Sequence, residues 1–177
     1  MGWTMARALL MAACRVCDAT LKGSHMTPQQ IQLVQSTWIH IVPISEIAAS
    51  LFYGKLFELE PAVRPMFRGE MAEQGRKLMQ TIGMVVSSLT RLEEILPRVE
   101  DLGRKHVGYG VEPRHYDSVG AALLWTLEQA LHEDFTPEVK GAWTTAYVTL
   151  ANVMKTAAYE PAMRRASDAR DAIHGVV

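Results

Sequence analysis

The chain is predicted to fold as an all-α domain, on three observations. No stretch alternates apolar and polar residues long enough to specify a strand. Apolar residues instead recur at three- and four-residue spacings, in runs of helical length. The eight prolines, at positions 28, 43, 61, 65, 97, 113, 137 and 161, fall where helices would start or turn, and none is expected to interrupt a periodic run.

Thr27-Pro28-Gln29-Gln30 reads as a capping box, with the Thr hydroxyl accepting from a free amide and Gln30 reaching back. A first helix then runs to about Ile41, with Ile31, Val34, Trp38 and Ile41 on one face. A second starts near Ser45 and ends near Leu59, and Pro61 to Phe67 forms a short helical corner before Arg68-Gly69. The next helix, about 70–90, lines Gln74, Leu78, Ile82 and Val85 along one stripe. Ala49 and Gly75 are small enough to let these two helices cross closely. A helix from about 93 leads to His106 and stops at a corner containing Gly108 and Gly110. Two long helices follow, about 113–132 and 137–158, the second opened by Thr136-Pro137-Glu138. Arg164 to Val177 carries weak helical pattern and is expected to fray. The organisation expected is therefore an N-terminal extension or vector-derived segment over 1–25, one domain over 26–160 and a tail over 161–177.

A chain of 177 residues can bury a full core as one domain. Its net charge of −1, with mixed signs throughout, offers no basic stripe for nucleic acid or an anionic membrane, and neither is expected as a partner. No apolar run approaches the ~20 residues of a membrane-spanning helix. Cys14 and Cys17 both lie in the extension, so the domain has no disulfide framework and suits a reducing cytoplasm. The apolar stretch after Arg7 is short for a secretory signal, and Gly23-Ser24-His25-Met26 matches a common expression-vector scar. No specific role is expected for the two cysteines.

Two clusters carry the functional reading. The first runs from Leu102 through His106 to Val111, an imidazole near a helix exit whose second ring nitrogen can donate to the carbonyl one turn back, near Leu102. The second comprises Phe52-Tyr53, Pro61 to Phe67, and Gln74 to Leu78. Together, over about residues 26–160, they resemble the globin family. The likeness is to single-domain bacterial haemoglobins such as Hell's Gate globin, to the globin half of flavohaemoglobins and, more distantly, to neuroglobin.

That resemblance implies a globin fold, a three-over-three helical sandwich around a pocket for haem b (iron protoporphyrin IX). It makes His106 the proximal and sole iron ligand, Phe67 the ring wedged against the porphyrin, and Val111 an apolar contact just beyond the proximal helix. Leu78 lines the distal side, Lys77 pairs with a haem propionate, and Tyr116 helps to position His106. Tyr53 and Gln74 match the family's distal pair. Dioxygen takes on negative charge when bound, so buried donors retain it while carbon monoxide gains less. Losing both donors is expected to cost ~2–3 kcal/mol, roughly two powers of ten in release rate. An amide is a poor iron ligand, so a five-coordinate ferrous state is expected.

One departure stands out: the glutamate that usually partners the tyrosine is missing, with alanine in the Met154 to Ala158 region and Glu160 two residues beyond. His40, His115, His132 and His174 show no ligand spacing and are expected to be solvated. The leading expectation is reversible, tight binding of dioxygen, with carbon monoxide and nitric oxide as further ligands and no catalytic residue assigned. The alternative is a nitric oxide dioxygenase; the sequence contains no flavin or nicotinamide module, so that activity would need an external reductase. A gas sensor is a third reading, and a haem-free structural globin is disfavoured by His106 and Phe67. A cytoplasmic monomer or weak homodimer is expected.

Overall fold

A computed structural model describes residues 26–174, with side chains as far as Glu160. Among them are six α-helices: α1 Pro28–Ile41, α2 Ser45–Leu59, α3 Met71–Ser88, α4 Leu92–Gly108, α5 Pro113–Leu131 and α6 Pro137–His174. Short 3₁₀ turns link several of them, the longest being Pro61–Met66. There is no strand among the described residues. The extension with Cys14 and Cys17 lies outside them.

The caps behave as their chemistry dictates. The Gln30 amide donates to Thr27 Oγ1 at 3.1 Å while the Thr27 amide donates to Gln30 Oε1 at 2.9 Å, which satisfies two amides that the first turn of α1 would otherwise leave unpaired. At the head of α6 the Val139 amide donates to Thr136 Oγ1 at 3.4 Å.

The most extensive packing is α4 along α6 and α2 across α5, followed by α1 on α6 and α2 against α3. One buried cluster joins α1, α3, α5 and α6 around Val34, Ile41, Val86, Leu127 and Trp143. Within it the Trp143 indole donates to Thr37 Oγ1 at 3.0 Å, and that hydroxyl donates to the Leu33 carbonyl at 2.7 Å. A buried indole N–H is thus paired across α1 and α6. A second cluster centres on Phe52, Tyr53, Leu56, Val63 and Ala122, with Phe67, Leu78, Val119 and Leu123 packed on it.

Two helix crossings depend on missing side chains. A Cβ at Gly75 would lie 2.9 Å from Ala49 Cβ, so this pair does allow α2 and α3 to approach closely. At Gly103 a Cβ would sit 2.5 Å from the Met154 carbonyl oxygen and 2.8 Å from its Cα, so the backbones of α4 and α6 are in direct contact there.

Three expectations need correction. Pro161 lies inside α6, not at a start or corner, whereas Pro97 falls within the helix expected from about residue 93. Pro97 stands in the second turn of α4, where the carbonyl it leaves without a helical partner, that of Glu93, belongs to an exposed residue. The last helix does not stop near residue 158 but continues to His174, through a segment rich in Ala and Arg with no glycine to end it. His115 is not solvated. It is 3% exposed, because at the third position of α5 its ring folds back to cap the helix, Nδ1 accepting from the Glu112 amide at 3.0 Å.

Candidate functional site

His106 stands in the last turn of α4, half-buried. Its Nδ1 lies 2.8 Å from the Leu102 carbonyl oxygen. A carbonyl can only accept, so Nδ1 carries the proton and Nε2 is the lone-pair nitrogen. Burial pushes the imidazole pKa down, while the bond to Leu102 opposes that shift. The helix then turns away: Tyr109 and Val111 both donate to the His106 carbonyl, and Gly110 takes φ +82°, a conformation that favours glycine. Val111 is clamped from its other side by α6, the Tyr159 hydroxyl donating to its carbonyl at 2.6 Å.

Tyr116, on the first turns of α5, stacks on the His106 ring with centroids 6.4 Å apart and planes 30° apart. It is 5% exposed, and its hydroxyl has no hydrogen-bond partner among the described residues. Burial and the nearby Tyr159 raise its pKa to about 12. Its carbonyl accepts from the Tyr147 hydroxyl, and a Cβ at Gly120 would meet the Tyr147 ring at 2.6 Å. Lys155 holds its Nζ 6.0 Å from the centre of the Tyr116 ring.

The distal candidates also assemble. Tyr53 is 8% exposed and meets Phe67 edge-on at 5.2 Å, with Phe57 5.9 Å away. Its hydroxyl donates to the main-chain carbonyl of Gln74 at 3.4 Å, not to the side-chain amide. Burial raises the Tyr53 pKa, so the phenol keeps its proton. The Gln74 Nε2 lies against Gly69, 3.1 Å from where a Cβ would stand. Leu78 joins the Tyr53 cluster one turn along α3. Lys77 points outward, 63% exposed and bound to Glu73 at 2.7 Å. Beside Phe67 and Gly69 a recess of about 480 Å³ opens, with Arg64 over the Phe57 ring at its wall.

One face of α5 links the two groups, since Tyr116 lies beside His106 while Val119 and Leu123, three and seven residues on, pack in the Tyr53 cluster. Met66, from that cluster, comes within 3.8 Å of a Cβ placed on Gly110. Sequence reasoning missed Gly103, Tyr147, Tyr159 and Lys155 as neighbours of the site. The spacing of Gly103 one turn before His106 was a usable signal; the tyrosines and the lysine reach the site only through the tertiary fold.

Among the described residues no three of His, Cys, Asp or Glu converge to hold a metal ion. A porphyrin would bring the further donors that the described residues do not gather around His106. The half-buried ring with a fixed tautomer and apolar walls fits such a group.

Comparison with known proteins gives a consistent assignment. The sequence profile of the globin family matches residues 50–154, which includes both clusters. Similar proteins include the flavohemoprotein of Vibrio cholerae, 30% identical over 135 residues that make up 72% of this chain and 33% of the relative. The flavohemoprotein of Xylella fastidiosa is 29% identical over 136 residues, 75% of this chain and 34% of the relative. That of Oceanobacillus iheyensis is 28% identical over 125 residues, 69% and 31% respectively. The chain spans about a third of the length of these relatives.

Proposed function

This chain belongs to the globin family, and from that premise we propose that it is a haem protein that binds diatomic gases reversibly, dioxygen above all. The observation that carries the reading is His106, whose Nδ1 proton is committed to Leu102 and whose Nε2 lone pair is left for a metal. Haem b, when bound, would supply an iron with one coordination position left for a gas.

The rest is the work of this chain's side chains. Leu102 fixes the imidazole tautomer, while Val111 and Tyr116 confine the ring from the corner and from α5. Phe67 and Leu78 keep the opposite side apolar and exclude water. Tyr53 and Gln74 act as donors toward a ligand that gathers negative charge, which favours dioxygen over carbon monoxide. Lys77, already at the surface beside Glu73, is suited to a propionate and poorly placed to reach a buried metal. Nitric oxide dioxygenation with an external reductase would use the same residues, and stopped-flow consumption of nitric oxide by the oxygenated protein distinguishes it from simple carriage. The proposal includes a cytoplasmic location and a monomer or weak homodimer. No helix among the described residues is long and apolar enough to cross a membrane.

The test is His106→Ala. It should abolish the normal Soret band on reconstitution with haem, and added imidazole should restore it. Unchanged uptake with an unaltered ferrous spectrum would refute the assignment.

A further inference from the structure

Lys155 is half-buried on α6, and its ammonium has no carboxylate partner among the described residues. Instead it stands 6.0 Å from the centre of the Tyr116 ring, within the range of a cation–π contact. That ring is 5% exposed and stacks on His106. The imidazole itself meets no carboxylate: Nδ1 donates to the neutral Leu102 carbonyl, and the carboxylates whose charge is felt nearby are Asp117, which acts on Tyr147, and Glu112, which acts on Tyr159. The acids flanking this region in sequence, Asp101 and Glu112, are engaged by Lys105 and Arg114.

We infer that Lys155 is a positioning residue that sets the redox balance of the site, holding a positive charge behind the Tyr116 ring so that the reduced, gas-binding state of the metal on His106 is favoured. The inference rests on the reading of His106 as a haem ligand. Ferric haem carries one more positive charge than ferrous haem, so a nearby cation penalises oxidation. Across a ring and an imidazole, in an environment of low effective dielectric, that repulsion exceeds thermal energy. With no carboxylate on Nδ1–H, the imidazole also remains a neutral and modest donor, which acts in the same direction.

A charge series on the haem-loaded protein tests this: Lys155→Arg keeps the charge, Lys155→Met keeps most of the stem without it, and Lys155→Glu reverses it. The readouts are the reduction potential and the iron–histidine stretching frequency of the ferrous form. At a fixed potential near the wild-type midpoint, the ferric-to-ferrous ratio should rise several-fold in Lys155→Met and further in Lys155→Glu. Lys155→Arg should stay with the wild type, and the stretching frequency should climb in the same order as the ratio. A flat series, or an Arg variant that shifts as far as the Met variant, would overturn the inference, the second by showing that packing and not charge is felt. His106→Ala run alongside keeps the two claims apart. If the haem spectrum survives that change, the ligand assignment fails; if it does not and the Lys155 series is flat, only the role of Lys155 fails.

Discussion

Tyr53 and Gln74, the two donors proposed to face a bound gas, are joined by a hydrogen bond in which the Gln74 side chain takes no part. The Tyr53 hydroxyl rests on the Gln74 main-chain carbonyl, whereas the Gln74 amide lies by Gly69. Gln74→Leu therefore leaves the phenol's resting bond intact, and Tyr53→Phe removes one hydroxyl and nothing else. Each change should speed dioxygen release about tenfold, the equivalent of one hydrogen bond, with a much smaller effect on carbon monoxide. The double variant should reveal coupling between neighbours. Flash photolysis and stopped-flow release rates decide the matter: equal acceleration of both gases would mean that the pocket acts by size. His115 marks a limit of reading residues singly. Its sequence position was plain, yet its burial follows from a cap that closes only once α5 has formed.

At the scale of elements, glycine contacts govern where His106 stands. Gly103 precedes it by one turn, and its missing side chain lets α4 touch the Met154 backbone of α6. Gly103→Ala must push the two helices apart, since a backbone carbonyl cannot rotate away as a side-chain tip could. The expected cost is about 2–3 kcal/mol, or a fall in Tm of roughly 5–10 °C for a domain of this size. Haem should also dissociate faster, because the displaced α4 carries the imidazole. Thermal unfolding of the haem-free protein measures the first effect and haem transfer to an acceptor the second. A variant as stable as the wild type would show that the helices can shift at little cost. The Gly75–Ala49 crossing of α2 and α3 was legible from two small residues in the sequence; the Gly103–Met154 crossing was not, because nothing at residue 154 is small.

Across the whole molecule, burial of tyrosines imposes a pH limit. Tyr53, Tyr116 and Tyr147 all have pKa values raised by burial, Tyr116 from 10.0 to about 12. Above the unfolded value of 10.0 the unfolded chain loses phenolic protons that the native state retains, so the unfolded state binds fewer protons and stability declines with pH. The contribution is complete below pH 10.0 and is lost as pH rises through about 12. Urea denaturation between those limits should show a falling midpoint, and Tyr116→Phe should flatten the fall. An unchanged slope in that variant would mean that Tyr116 ionises as freely folded as unfolded.

The sequence by itself determined the helical class, most helix starts and the identity of both residue clusters, because periodicity, capping and short motifs are local and act within a turn or two. The residues of those clusters also carried the resemblance to the globin family that the family profile bears out. The course of α6 beyond residue 158 was not legible, since Pro161 is a local signal to stop that the helix nonetheless passes through. Only the tertiary structure decided which side chains stand behind Tyr116 and Val111, the residues beside His106. Tyr147, Lys155 and Tyr159 lie 41 to 53 positions away along the chain and arrive because α6 packs against both α4 and α5. Such neighbours are chosen by the crossing of helices, and the crossing is set by glycines and core volumes that no local pattern records.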